Sequence, residues 1–285
     1  MEQQMASQII VNGLVAGSIY TIAALGLTLI FSIGRVFNFA HGEFYMLGAF
    51  ATYFAVEQFH LPYVLAVLSA IIIVGILGIL VEFVFFRPLR GQFHAPMIIS
   101  LGLSLILPCG AFLLFGQEDK SVATDFPGII RFSNITISAE RIAVIIGTIL
   151  LLIALYCFLK YSKAGQALQA VAQDSEAASV QGININHIFS LSFAISGGLA
   201  GAAGALIAPL FAINAFIGSH IIFKLAGITI IGGMGSVVGS VLGGFLWGFT
   251  ESLASTFIGS NAQLIVFGLV VVVLLIKPKG FFGHD

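Results

Sequence analysis

The chain is built from apolar runs long enough to span a bilayer, separated by short breaks that hold most of its charge. The runs cover approximately residues 8–33, 36–56, 61–86, 95–115, 141–159, 187–212, 220–233, 236–256 and 262–276. A transmembrane helix needs about 20 predominantly apolar residues, so the pattern predicts an all-α, polytopic transmembrane bundle of about 8–9 segments. Only 8% of the 285 residues are charged, whereas soluble domains carry about 25%. Such a chain cannot cover a water-facing surface. Two runs are candidates for broken or re-entrant helices: 220–233 is short, and 36–56 begins with polar residues. Irregular backbone at membrane depth is tolerated only where protein buries it or it lines a cavity.

The breaks set an orientation. Arg87 and Arg90, Lys160 and Lys163, and Lys277 and Lys279 fall on the cytoplasmic side by the positive-inside rule. The break from Gln117 to Glu140 mixes Glu118, Asp119, Asp125 and Glu140 with Lys120 and Arg131, and reads as an external loop. Alternating crossings then fit, with the amino terminus outside if all nine runs cross. The net charge of −1 and the lack of any basic run argue against a nucleic-acid partner. Cys109 and Cys157 lie inside apolar runs, which suits free thiols better than a disulfide framework. Met1-Glu2-Gln3-Gln4 has no positive region, so the first run reads as a retained helix and not a cleaved signal.

Glycines recur at four-residue spacing at Gly13/Gly17, Gly197/Gly201, Gly235/Gly239/Gly243 and Gly244/Gly248. Such a face lets a neighbouring helix backbone approach closely, where no hydrophobic force acts between helices. Gly232-Gly233-Met234-Gly235-Ser236 is different: it breaks a helix and predicts a turn within or at the edge of the membrane.

Three places hold polar groups where a span should be. Arg-Val-Phe-Asn-Phe-Ala-His-Gly-Glu at 35–43 joins two apolar runs with almost no loop, so Asn38, His41 and Glu43 are expected near membrane depth. Polar groups there face a bundle interior or an aqueous path. Two readings stand. Asn38 and Glu43 cap a broken helix while His41 satisfies freed backbone groups, or the broken helix lines a translocation route. Lys224, close to the start of its run, is expected to snorkel to an interface. Glu251 divides between an interface and the interior.

The longest polar stretch on the expected cytoplasmic side is Lys160–Asn186. Asp174 can cap a short helix, Glu176 suits its first turn, and Gly182 can end it in the left-handed conformation. Ala164, Leu168, Val171 and Ala172 recur at helical spacing before it. A small-residue helix of this kind is either a solvated loop helix or a grip for a nucleotide-hydrolysing partner.

These residues carry a resemblance. Glu176-Ala177-Ala178, with Gly182 after three more residues, resembles the EAA-xxx-G loop of permeases in binding-protein-dependent ABC importers. The later part of that pattern is missing, since Ser192 stands in place of an Ile, a departure typical of the branched-chain amino acid branch. Asn12-Gly13-Leu14, the stretch Ala23–Ile30 and Asn38-Phe39-Ala40-His41-Gly42-Glu43 resemble that branch's amino-terminal signature. Gly165–Asp174 resembles its cytoplasmic loop, and Lys277-Pro278-Lys279-Gly280-Phe281-Phe282-Gly283 its usual ending. The resemblance spans nearly the whole chain and is closest to the LivH-like member of the permease pair.

What the resemblance implies is a single permease domain over 1–285, in a bacterial-type inner (plasma) membrane, with a coupling segment at about 160–186. The implied partners are a second related permease, two ATPase subunits and an external substrate-binding protein. Gly165, Asp174, Glu176, Ala177, Ala178 and Gly182 would dock on an ATPase. Asn38, His41, Glu43, Gly232, Gly233 and Glu251 are the candidates for the substrate pathway. No catalytic residue, cofactor or metal is expected, and the chain has no G-x-x-x-x-G-K-S/T phosphate loop. ATP-driven uptake of branched-chain amino acids is therefore the leading expectation. The alternatives are a proton-coupled secondary transporter using Glu43, His41 or Glu251, and an importer subunit for urea, short amides or another small metabolite.

Overall fold

The computed structural model describes residues 2–92, 94–124, 126, 128–132 and 135–283. Its helices are α1 (Glu2–Gly34), α2 (His41–Glu57), α3 (Tyr63–Val81), α4 (Ala95–Phe115), α5 (Ala139–Tyr161), α6 (Lys163–Gln173), α7 (Ser175–Val180), α8 (Ile185–Ile207), α9 (Ile217–Gly232), α10 (Val237–Ile258) and α11 (Ala262–Ile276), all following the apolar runs except α6 and α7, which lie in the polar stretch. Among the described residues, six helical stretches are long and apolar enough to cross a membrane, and α9 and α11 are shorter apolar helices. With the 17 residues of α2, the nine apolar runs each yield one helix.

The break from Gln117 to Glu140 contains one feature that its mixed charge did not suggest. Strands β1 (Ile129–Phe132) and β2 (Ile135–Ser138) pair antiparallel, with Ile129 opposite Ser138. Lys120 also exchanges backbone hydrogen bonds of 2.8 and 2.7 Å with Ile213, tying this loop to the segment between α8 and α9. Asp125 lies outside the described residues.

The core is the set of packed helices α1, α8, α9, α10 and α2, in which Ile22, Ala23, Ala24, Leu25 and Leu225 have no exposure. The outer faces of α3, α4, α5 and α11 carry exposed Leu, Ile and Val, as lipid-facing helices would. Cys109 and Cys157 are free and exposed on α4 and α5. Glycine makes the closest contacts possible, as its spacing predicted. A β-carbon on Gly248 of α10 would lie 2.5 Å from the Gly17 Cα of α1, and one on Gly48 of α2 would lie 2.5 Å from the Gly201 Cα of α8.

Chain breaks at one end fall together. Ser32 Oγ donates to the Gly235 carbonyl at 2.9 Å, joining the end of α1 to the α9–α10 turn. The same turn receives the carboxy-terminal tail: Phe281 N–H donates to the Ile231 carbonyl at 2.8 Å and Phe282 N–H to Gly232 at 3.1 Å. Lys277 and Lys279 belong to this end, which is the cytoplasmic one by the positive-inside rule.

Candidate functional site

The first apolar run ends where Arg35, at φ +51°, turns the chain. Five more non-helical residues, 36–40, then lead back into the bundle before α2 begins at His41. His41 Nε2 is 2.9 Å from the Ala23 carbonyl. Ala23 stands eleven residues above the end of α1, or about 16 Å at 1.5 Å per residue, so α2 starts well inside the bundle. The sequence run 36–56 is thus a non-helical turn segment followed by a helix, a broken crossing of the kind its polar start suggested.

Three of the freed N–H groups are satisfied, two within the turn and one from α4. Asn38 Oδ1 accepts from Ala40 N–H at 3.1 Å, the Asn38 carbonyl accepts from His41 N–H at 3.2 Å, and Ser100 Oγ of α4 accepts from Phe39 N–H at 3.2 Å. Buried backbone groups are costly when unpaired, which is why a non-helical stretch survives here with Asn38 wholly buried. Asn38 closes a turn ahead of the helix and does not cap it: α2 has no side-chain cap, and Asn38 Nδ2 is buried without a partner among the described residues. Nor does Glu43 cap it: its Oε1 accepts from Ser219 Oγ of α9 at 3.0 Å instead, and its Oε2 has no hydrogen-bond partner among the described residues. His41 bonds a carbonyl of the neighbouring helix α1 and not a freed group of its own segment, with Ser196 Oγ 3.4 Å from its other ring nitrogen.

The remaining pathway candidates lie apart from this cluster. Gly232 and Gly233 form the α9–α10 turn, where Gly233 sits at φ +98° under the carboxy-terminal tail. Glu251, on α10, is paired with Lys224 of α9 at 2.6 Å, and Lys224 Nζ also donates to Tyr20 Oη of α1 at 2.9 Å. This overturns the expected snorkelling of Lys224. Lys224 meets an opposite charge on the adjacent helix, and pairing relieves the cost of two isolated charges in the span.

The polar stretch at 160–186 forms two short helices. Ser162 Oγ caps α6 by accepting from Gly165 N–H at 2.9 Å, and α6 buries Gly165, Leu168 and Val171. A β-carbon on Gly165 would collide with the Phe158 carbonyl of α5, so α6 can fold back on α5 only with glycine there. Asp174 Oδ1 accepts from the N–H groups of Glu176 and Ala177 at 2.9 and 3.0 Å. Gly182 closes the motif at φ +85°, where a side chain would be strained. Ala178 is the buried residue of α7, while Glu176 and Ala177 are exposed and Val180 is 89% exposed. An open groove of about 940 Å³ lies beside this module, lined by the ends of α1 and α5, by Leu168 and Gln169 of α6, and by Met234 to Val237.

One cluster was missed in the sequence. At the end of α3 a single π-helical turn, Glu82–Phe86, sets Glu82 inward with no exposure. Such turns recur at functional sites. Glu82 Oε2 accepts from Ser190 Oγ of α8 at 2.7 Å and pairs with Arg87 at 3.2 Å, while Arg90 bridges Glu82 Oε1 and Asn186 Oδ1. Burial pulls the Arg90 guanidinium below its ordinary value, against the upward pull of Glu82. The start of α8, directly after α7, is therefore fastened to α3. The signal was present: Glu82 is the one acid within the apolar run 61–86.

Comparison with known proteins bears on all of this. Residues 9–275 match the family model described as branched-chain amino acid transport system / permease component. The chain is 33% identical to the high-affinity branched-chain amino acid transport system permease protein BraD of Pseudomonas aeruginosa, over 97% of this chain and 95% of the relative. It is 31% identical to the corresponding protein LivH of Escherichia coli K12, over 96% and 94%. With LivM of the same organism it shares 27% identity, over 92% of this chain and 67% of the relative. No solved structure matches it.

Proposed function

Since the chain belongs to the branched-chain amino acid transport permease family, we propose that it is one membrane-spanning half of an ATP-driven importer for aliphatic amino acids, acting as a single permease domain over residues 1–285. Its partners in this reading are a second, related permease, two ATPase subunits and an external substrate-binding protein. Two of its relatives, LivH and LivM, are both permease proteins of a high-affinity branched-chain amino acid transport system in one organism, which supports the pairing of two permeases.

The observation that carries the reading is the module at residues 162–182. It is folded, capped at both helices, and held on α5 by Gly165, yet Glu176, Ala177 and Val180 point outward, uncovered by any of the described residues. An ATPase seated there would grip the exposed Asp174, Glu176, Ala177 and Gly182, while the buried Gly165 and Ala178 hold the module in shape beneath it. Its closure would pass through α7 to the start of α8, and through Asn186 and Ser190 to the Glu82 cluster on α3. A proton-coupled secondary transporter has no use for such a module.

In the same reading Asn38, His41, Glu43, Gly232, Gly233 and Glu251 border the route of a zwitterion with an apolar side chain. The broken crossing before α2 and the turn after α9 are the places where helices can re-pack about a passing substrate. The complex reconstituted in liposomes with its binding protein should take up labelled leucine only when ATP is hydrolysed inside. Uptake by this chain alone, or uptake that collapses with the proton gradient while ATP persists, would sink the reading.

A further inference from the structure

Lys224 and Glu251 are charges placed near the middle of their spans. Lys224 is the eighth of the 16 residues of α9 and Glu251 the fifteenth of the 22 residues of α10. Each therefore lies at least about 10 Å from either end of its helix. They retain 15% and 20% side-chain exposure on the surface of the chain. Charges at this depth do not face lipid, and Lys224 Nζ reaches Glu251 and Tyr20 instead of an interface. The surface that bears them must therefore meet water or another protein. Glu251 Oε2 is buried and accepts no hydrogen bond among the described residues, so an unused acceptor lies just behind the exposed part of the pair and is reached when the helices separate slightly. Lys224 also lies over the Tyr20 ring, 5.1 Å from its centroid, which fixes the ammonium from a third helix.

We propose that Lys224, Glu251 and Tyr20 form a transient binding point for the two charged ends of a zwitterionic α-amino acid in transit. The proposal rests on the importer reading above. The substrate carboxylate takes the ammonium of Lys224, and the substrate ammonium takes Glu251, so one neutral ion pair is exchanged for two. No charge is left unpaired in the low-dielectric interior at any stage, which is the condition for moving charged groups there. A monoanion or monocation of the same size would leave one protein charge without a partner, so the site selects for dipolar ions and is indifferent to the side chain. Hydrophobic discrimination is left to the binding protein and to the apolar walls.

The test uses the full complex in liposomes with labelled leucine. The double variant K224M/E251Q removes both charges together, a change that leaves no uncompensated charge and that proteins often tolerate. It should assemble with its partners, judged by co-elution, while leucine uptake falls at least tenfold and the ATP hydrolysed per leucine moved rises by a similar factor. The reversed pair K224E/E251K should recover at least a third of the uptake. Wild-type uptake by the double-neutral variant would show the pair to be a structural staple and overturn the proposal. If that variant fails to assemble, Y20F carries the test: a threefold or larger fall supports the proposal, and unchanged uptake overturns it. A wild-type complex that moves no leucine would overturn the importer reading and this one with it, whereas an active double-neutral variant beside an active wild type overturns this one alone.

Discussion

Glu82 has no exposure, and two arginines and a serine converge on its carboxylate. Hydrogen bonds to a charged group contribute about 1.5–3 kcal/mol. E82Q should therefore lower the unfolding free energy of the purified permease by about 2 kcal/mol, read as an earlier thermal transition in detergent. If the cluster also relays ATPase closure to α3, E82Q should raise the ATP hydrolysed per substrate moved, a ratio that lost stability alone would leave alone. At this scale the sequence was legible by type and not by partner. Asn38, His41 and Glu43 could be placed at depth because polar residues in an apolar run are conspicuous. Lys224 was misread because its partner is 27 residues away on another helix, and no pattern along one helix reveals which neighbour it will face. The orphaned Oε2 of Glu43, likewise, depends on Ser219 of α9 reaching only one oxygen.

Of the two short helices at 163–180, α7 could be read from its ends, since Asp174 and Gly182 are chemical punctuation that acts locally, and α6 from its apolar stripe, though its Ser162 cap was not. D174A removes the acceptor for two backbone N–H groups and should cost α7 about 1 kcal/mol. E176K and G182V go further, because they change the outward face and force a branched side chain into the left-handed region. Both should insert and assemble with the second permease yet lose most transport, measured as uptake per assembled complex; normal uptake by both would remove the module from the coupling route. The start of α2 was less legible. Val36, Phe37 and Phe39 extend the apolar pattern back from His41, so periodicity alone carries the helix too far. What stops it is an Asn38 turn fixed from outside by Ser100 of α4, a contact between distant parts of the chain. The hairpin β1–β2 was overlooked although Ile129, Ile130, Ile135, Thr136 and Ile137 favour strands, because the loop was read for its charges.

The bundle as a whole depends on backbones approaching within reach of each other at glycine. G248V should abolish recovery of folded protein, since its β-carbon falls 2.5 Å from the Gly17 Cα and neither helix can yield without losing its other contacts. Gly110 on α4 is the control, with nothing within 4 Å of an added β-carbon. G110A should be neutral or stabilising by up to about 1 kcal/mol, the helix-propensity difference between the two residues, when the two variants are compared by yield and thermal stability. The four-residue glycine spacing was thus informative about which faces pack, though not about the pairing of α1 with α10 or of α2 with α8. The carboxy-terminal tail shows a different kind of dependence. A helix leaves its last carbonyls without internal partners, and those of Ile231 and Gly232 are met by the N–H groups of Phe281 and Phe282, fifty positions downstream. During synthesis α9 can therefore enter the bundle but cannot seal its cytoplasmic end until the tail has emerged. An affinity tag or truncation that disturbs residues 280–283 would act at the α9–α10 turn, far from where the chain was altered.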